Sequence, residues 1–447
     1  MSNPPPNDGR AGLLLRIDAR SIADAEHPDG SLGASVLLET GPHHRLTLGA
    51  RVLVLGPPER VDAHPASAHA RPVSRPDAVL IPALVNAHTH LDLTRVGPLG
   101  HNPEAGFVSW IDQIRARRPV EDPQIARAVA DGARLSLAGG VAAVGDIAGS
   151  PGGRLTLAAL GALRDSDLVG VSYLELFGIG ALEEPTRRGL DDLIRACASA
   201  IHEADGVRFG LQPHAPNTVS IPMYHWIVDR ATALNVPLST HLAESPEERR
   251  FVAEGTGSQR DLLERVGVWD DSILDHVGRG RHPVEHLEPV LARARFLVAH
   301  ANDAPDRAIR ILAQTGTSVA YCPRASAYFG AASRLGPHRY RRMLEAGINV
   351  CLGTDSIASL PSECADPRAG LFSTLAEARL LYRRDGTDPA TLLAMATTNG
   401  ATALGLDPDL FRFTAGRRIA GVVAVAVGAP GNPVAQVLAG EAPPVLI

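Results

Sequence analysis

Seven residues able to bind a metal or move a proton stand at or just after the ends of short apolar runs. His88 and His90 lie in VNAHTH, His214 in QPHAP, His241 and Glu244 in STHLAE, His300 in VAHAND and Asp355 in LGTDS. Singly, each has a plain reading. Two histidines in an extended segment arise by chance, an apolar-flanked histidine is usually a satisfied core residue, and Asp in Gly-Thr-Asp-Ser suits a turn or helix cap. Strand alternation, however, puts His88 and His90 on one face, with Ala87 and Thr89 on the other. Four of these runs, VNAHTH, STHLAE, VAHAND and LGTDS, each deliver a ligand-type side chain at the same end, in an order that chance does not readily produce. Imidazoles and a carboxylate gathered in this way are the donor set of a divalent metal site, and the chemistry such a site serves is hydrolytic.

Composition narrows the alternatives. The chain has 447 residues, 45% of them hydrophobic and 21% charged, with a net charge of −6. These values describe a globular chain of barrel-plus-appendage length and give no nucleic-acid footprint. All 43 basic residues are arginine. Without lysine there can be no Schiff base to pyridoxal phosphate, no P-loop lysine and no carboxylated lysine bridging two metals. Cys197, Cys322, Cys351 and Cys364 are widely spaced and form no C-x-x-C pair, which reads as four reduced thiols. No run reaches the ~18 apolar residues of a membrane span, and MSNPPPNDGR lacks a signal peptide's apolar core. A cytoplasmic protein without membrane or nucleic-acid partners is expected.

The elements that must position the seven residues follow from periodicity. Residues 1–12 read as a disordered tail and 13–77 as the first part of a small β-domain, in LLLRIDA, ASVLLET, HRLTLGA and RVLVLG. Eight apolar runs follow, at 78–91, 140–148, 168–178, 207–215, 236–244, 295–303, 317–324 and 348–356. Between them lie segments with helical spacing, among them 107–118, 123–138, 190–203, 222–234, 305–314 and 339–346. Continuous apolar strands alternating with helices predict a parallel sheet with helices outside, and eight units predict a closed barrel. Two more helices are expected near 368–384 and 389–404. The strand-like pieces RIAGVVAVAVG and AQVLAG then complete the small β-domain over 406–447. The fold class is therefore α/β: a (β/α)8 TIM-like barrel over 78–405 with a small β-sandwich domain built from both termini. In such a barrel the seven residues lie at the catalytic end of the strands. His27, His43, His44, His276, His282, His286 and His338 lie in polar, helical or loop sequence and are expected at the solvated surface.

In the segments LIPALVNAHTHLDL, PHAPNTVS, THLAESPEE, CPRASAYFG and LGTDSIAS the chain resembles the amidohydrolase superfamily, in its branch of metal-dependent nucleoside and nucleobase deaminases. AHTHLDL, GFVSWIDQIRARR and CPR-x-x-x-YFG make it most similar to the aminodeoxyfutalosine deaminases of menaquinone biosynthesis. The resemblance departs at Asn217, where tyrosine is usual, at Asp92, where glutamate is common, and at Ala325-Ser326, where Ser/Thr-His is common. It implies one Zn²⁺ or Fe²⁺ held by His88, His90, His241 and Asp355. Binuclear members bridge two ions with a carboxylated lysine on the fourth strand, which here ends in Gln-Pro-His214. Asp355 is then expected to accept a proton from water, His300 to orient that water, and Glu244 to protonate a ring nitrogen and help ammonia leave. Expected substrate contacts are His214, Trp110 (which could equally pack within its helix) and Arg324, a candidate partner for a substrate carboxylate. The implied partner is a small nucleoside, and a homodimer is entertained. The alternatives are adenosine, S-adenosylhomocysteine, methylthioadenosine or guanine as substrate, a chlorohydrolase or cyclic-amide hydrolase, and a silent binding barrel.

Overall fold

The structure, a computed structural model, describes residues 12–40, 50–102, 105–203, 206–360, 370, 372–428 and 430–447. The expected tail at 1–11, most of HRLTLGA, His43, His44 and Cys364 lie outside the described residues.

The N-terminal strands are β1 (Leu14–Ile22), β2 (Ser35–Glu39), β3 (Ala50–Gly56) and β4 (Arg71–Pro82). Eight barrel strands follow: β5 (Leu84–Thr89), β6 (Val141–Ala148), β7 (Val169–Leu176), β8 (Val207–Pro213), β9 (Leu238–Leu242), β10 (Phe296–His300), β11 (Ser318–Tyr321) and β12 (Val350–Leu352). Strands β13 (Arg418–Ile419), β14 (Val422–Ala426) and β15 (Val445–Leu446) end the chain.

The barrel strands pair in sequence order and in parallel. A parallel bridge between Thr89 and Asp355 joins the first strand region to the last. Every residue of β5, β6 and β7 is buried, as strands covered on both faces must be. The helices outside present apolar stripes at helical spacing: Ile125, Ala128, Val129 and Ala133 in Asp122–Ala138, and Ala308, Ile309, Ile311 and Leu312 in Asp306–Gln314. Among the described residues no helix is long and apolar enough to cross a membrane.

The terminal strands form one seven-stranded sheet in the order β13-β3-β2-β1-β4-β14-β15. Leu15, Ile17, Val36, Leu38, Leu80, Ile419 and Val422 pack on one face, and Leu37, Val54 and Val61 on the other. Two sequence expectations are corrected here. The run 78–91 is two strands: Ala78–Pro82 pairs with β14 in the terminal sheet, and the barrel begins at Leu84. Between them the Ala83 N–H donates to the Gly421 carbonyl, 2.9 Å. Both halves are buried and apolar, so no change of pattern marked the passage from sheet to barrel. AQVLAG belongs to a helix, Pro433–Ala439, not a strand. Asn432 caps it by accepting from the Ala435 N–H, Pro433 opens it, and Val434, Val437 and Leu438 share its buried side.

Candidate functional site

Each metal-capable side chain expected at the strand ends is found there. His88 is the penultimate residue of β5 and fully buried, and neither of its ring nitrogens has a hydrogen-bond partner. Buried polar atoms in a native core are nearly always paired, so an orphaned imidazole suits a ligand to an ion. Its ring lies 5.2, 5.0 and 5.3 Å from those of His90, His241 and His300. His90 Nε2 stands 3.3 Å from His241 Nε2 and 3.5 Å from Asp355 Oδ1, with His88 Nε2 3.7 Å from the same oxygen. The donor atoms of His88, His90 and His241 lie within 4.8 Å of one another, as do those of His88, His300 and Asp355. The two triads share His88, and Asp355 Oδ1 lies within 3.7 Å of both His88 and His90, so imidazoles and a carboxylate, the donor types of a divalent cation site, meet around one point.

The backbone makes this gathering possible. Gly353 precedes Asp355 by two residues, and a Cβ there would meet the His88 carbonyl at 2.8 Å and Cys322 Sγ at 2.9 Å. The Asp355 N–H donates to the His88 carbonyl, and its own carbonyl accepts from Thr89 Oγ1. Ser359 Oγ fixes Asp355 Oδ2 at 2.7 Å. Among the described residues five non-glycines have positive φ, and four of them end barrel strands: Ala243, His300, Ala301 and Asp355. Such conformations cost of order 1–3 kcal/mol each and concentrate where geometry serves function.

His241 Nδ1 lies 3.1 Å from the His214 carbonyl; a proton shared there leaves the Nε2 lone pair facing the cluster. Burial lowers His90 and His241 well below the usual imidazole value and His300 to about 3, so all three are neutral. Two carboxyls diverge. Burial, then the charges of Asp355, Glu248 and Glu247, push Glu244 well up. For Asp355, burial acts upward but is outweighed by His88, His90 and His300, which hold it well below the usual carboxylate range. Glu244 Oε1 lies 3.5 Å from His300 Nε2.

The backbone around Glu244 is held by a residue that motif reading passed over. Ser245 caps the helix Pro246–Glu254, and Glu248 in its first turn reaches back to accept the N–H groups of Ala243 and Glu244, 2.8 and 2.7 Å. A carboxylate in the first turn after Ser-Pro was the available signal.

A cavity of about 590 Å³ opens above the cluster. His90, His214, His241, Glu244, His300 and Asp355 form its polar floor, and Leu262, Leu263, Val266 and Val268 an apolar wall. His214 lines it with Nδ1 2.6 Å from Thr218 Oγ1 and Nε2 3.8 Å from Glu175 Oε1. Trp110 does both things open to it: it borders the cavity and packs edge-on against Phe329, with its N–H donating to the Ala358 carbonyl. Glu175 and Arg118 also line the cavity. Glu175 is the single acid in the apolar run 168–178, a signal that was present but unread. Arg118 closes GFVSWIDQIRARR and donates to Asp92 Oδ2, 2.8 Å, so the aspartate at 92 has a buried cationic partner. Its guanidinium passes over Gly149, where a Cβ would lie 1.7 Å from Nη2.

Arg324 is not brought to the cavity. It stands in the first turn of the helix Pro323–Tyr328, buried, with its backbone N–H and Nε both donating to Glu377. The pairing satisfies a buried charge, and Arg324 is not among the residues lining the cavity. Two histidines expected at the surface are also corrected: His286 is buried in the helix Pro283–Leu291, and His338 is half-buried against Tyr321.

A parallel barrel with imidazoles and a carboxylate converging at its C-terminal end is the architecture of a metal-dependent hydrolase. Residues 79–440 match the model of the amidohydrolase family. The chain is 31% identical over 343 residues to the aminodeoxyfutalosine deaminase of Deinococcus radiodurans, covering 74% of each. It is 27% identical over 357 residues to a 5-methylthioadenosine/S-adenosylhomocysteine deaminase of Halalkalibacterium halodurans, covering 76% of this chain and 70% of the other. The crystal structure of Helicobacter pylori aminofutalosine deaminase in complex with methylthio-coformycin superposes with a TM-score of 0.72 over 95% of both chains, at 19% identity, and shares the fold. The chain belongs to the amidohydrolase family, and within it is a metal-dependent hydrolytic deaminase.

Proposed function

We propose that this enzyme releases ammonia from the 6-amino group of an aminopurine nucleoside, with aminodeoxyfutalosine the preferred substrate. The observation that carries the reaction is the divergence of two carboxyls beside one histidine cluster. Burial and neighbouring carboxylates push Glu244 toward its protonated form while the histidines hold Asp355 toward its ionised form, which is the division of labour that addition of water and expulsion of an amine require. His88, His90, His241 and Asp355 would hold one Zn²⁺ or Fe²⁺, and no lysine is available to bridge a second ion. The bound cation supplies Lewis acidity, by which water becomes a competent nucleophile near neutral pH. Asp355 accepts the proton of the attacking water. His300 hydrogen-bonds that water and aims it at the amino-bearing carbon. Glu244 donates its proton to the adjacent ring nitrogen; the proton taken by Asp355 is then passed through the emptied Glu244 carboxylate to the amino group, the C–N bond breaks to release ammonia, and the hydroxyl proton of the adduct restores Glu244 as the 6-oxo group forms. His214 faces the ring or ribose, and Trp110 borders the other side. Three buried or half-buried thiols, Cys197, Cys322 and Cys351, are free, which accords with a cytoplasmic setting.

The substrate reading rests on the 31% identity to the Deinococcus enzyme and on the apolar wall, which suits the aromatic half of aminodeoxyfutalosine. The same wall suits a methylthio group, and the identity to the Halalkalibacterium enzyme makes methylthioadenosine or S-adenosylhomocysteine the second reading. Among the described residues the cavity is bordered by two cations, Arg115 and Arg118. Arg118 is occupied by Asp92, whereas Arg115 is exposed, one turn beyond Ile111 on the same face of the helix Gly106–Arg117. Arg115→Ala is therefore expected to lower kcat/KM about fivefold for the carboxylate-bearing substrate, the ~1 kcal/mol of an exposed charge pair, and to leave methylthioadenosine unchanged. Equal losses on both would remove Arg115 from carboxylate recognition. A wild-type kcat/KM higher for methylthioadenosine would favour the second reading.

A further inference from the structure

His338 lies between the helices Ala331–Leu335 and Tyr340–Glu345, far in sequence from every strand-end motif. Its Nε2 bonds the His300 carbonyl at 2.8 Å, and its Nδ1 accepts the Tyr340 backbone N–H at 3.1 Å. The two partners fix the tautomer, because a carbonyl can only accept and an N–H can only donate: Nε2 carries the proton. The imidazole is stacked on the Tyr321 ring, centroids 3.6 Å apart and planes 12° from parallel, so it cannot swing away without losing that contact. The next residue, Arg339, donates to the Ala304 carbonyl at 3.2 Å and pairs with Asp306.

The segment gripped in this way is the one that presents His300. The β10–β11 ladder ends at Ala299–Ala320, so the His300 carbonyl lies beyond it and finds its donor in His338. His300 and Ala301 both take positive φ, 74° and 49°, a conformation uncommon outside glycine and concentrated where geometry serves function. That conformation sends the carbonyl outward to His338 while the imidazole points into the cavity, 3.5 Å from Glu244. Further along, Asn302 donates to the Glu244 carbonyl at 3.0 Å, so the same segment also braces the proposed acid.

We propose that His338 is a positioning residue for the reaction: its Nε2–H holds the His300 carbonyl and thereby fixes the imidazole that aims the attacking water. The proposal rests on the assignment of that role to His300. Nothing in it requires His338 to touch substrate or to change protonation.

The test uses metal-loaded enzyme. H338F keeps a ring on Tyr321 and removes the N–H, and H338Q replaces the donor on a flexible stem. H338F is expected to lower kcat about 10- to 100-fold, the scale of a small misplacement in an active site, with KM within about twofold and metal content unchanged. H338Q is expected to recover most of that loss. If H338F does not accumulate as folded protein, H338M against H338Q carries the same comparison. Wild-type kcat in H338F or H338M, or a glutamine variant no better than the apolar one, would overturn the proposal. A double-mutant cycle separates it from the reading beneath it. With His300 already replaced by alanine, H338F should cost little more, because both changes remove one device. Full additivity would overturn the role of His338 alone. An H300A enzyme with near-normal kcat would overturn the role of His300, and this proposal with it.

Discussion

Glu244→Gln is expected to lower kcat by about 10²-fold or more while metal content stays at the wild-type level. The amide keeps the shape of the side chain, and its backbone is fixed from outside by Glu248, which accepts the N–H groups of residues 243 and 244. What the substitution removes is a proton. The wild-type carboxyl, largely withdrawn from solvent beside Asp355, Glu248 and Glu247, is pushed well above the usual carboxylate range, toward the protonated form that can donate. Turnover and metal content measured on the same preparation check the assignment, and a glutamine variant with near-full turnover would remove Glu244 from the acid role.

Asp355→Asn should lower both quantities. Asparagine can keep the backbone bonds to His88 and Thr89 and can still accept from Ser359, so the loop should survive. It cannot supply the anionic oxygen that His88 and His90 face at 3.7 and 3.5 Å. An ion held by imidazoles alone then lacks its one anionic ligand, and the attacking water lacks its base. Metal content well below about one ion per chain and a fall in kcat of at least ~10²-fold are expected. In the wild type, two tightly bound ions per chain would contradict the single-ion arrangement. A metal-replete asparagine variant with normal kcat would take Asp355 out of both roles.

Local sequence carried the floor of the site and much less of its walls. The metal-capable residues were legible because a parallel barrel strand has one geometry and one catalytic end, so an imidazole at the close of an apolar run has a defined place. Relations between distant segments left no such trace. Arg324 pairs with Glu377, 53 positions away on another helix, and nothing near CPRASAYFG distinguishes that arginine from one facing a ligand. His338 reads as a solvated loop residue because the partners that draw its ring inward, His300 and Tyr321, belong to two barrel strands distant in sequence. AQVLAG was misread for a different reason: a short apolar run fits either period, and the arbiter was the Asn432-Pro433 cap just before it. The passage from terminal sheet to barrel at Pro82–Leu84 was hidden because both strands are buried and apolar.

The central claim is that the converging imidazoles and the divergent carboxyls hydrolyse an aminopurine. Its most direct test is ammonia release by the purified, metal-loaded enzyme from aminodeoxyfutalosine, methylthioadenosine, S-adenosylhomocysteine and adenosine, with the purine product identified in parallel. One ammonia is expected for each purine converted to its 6-oxo form, with the highest kcat/KM for aminodeoxyfutalosine. Failure of the metal-replete enzyme to release ammonia from any of the four would contradict it.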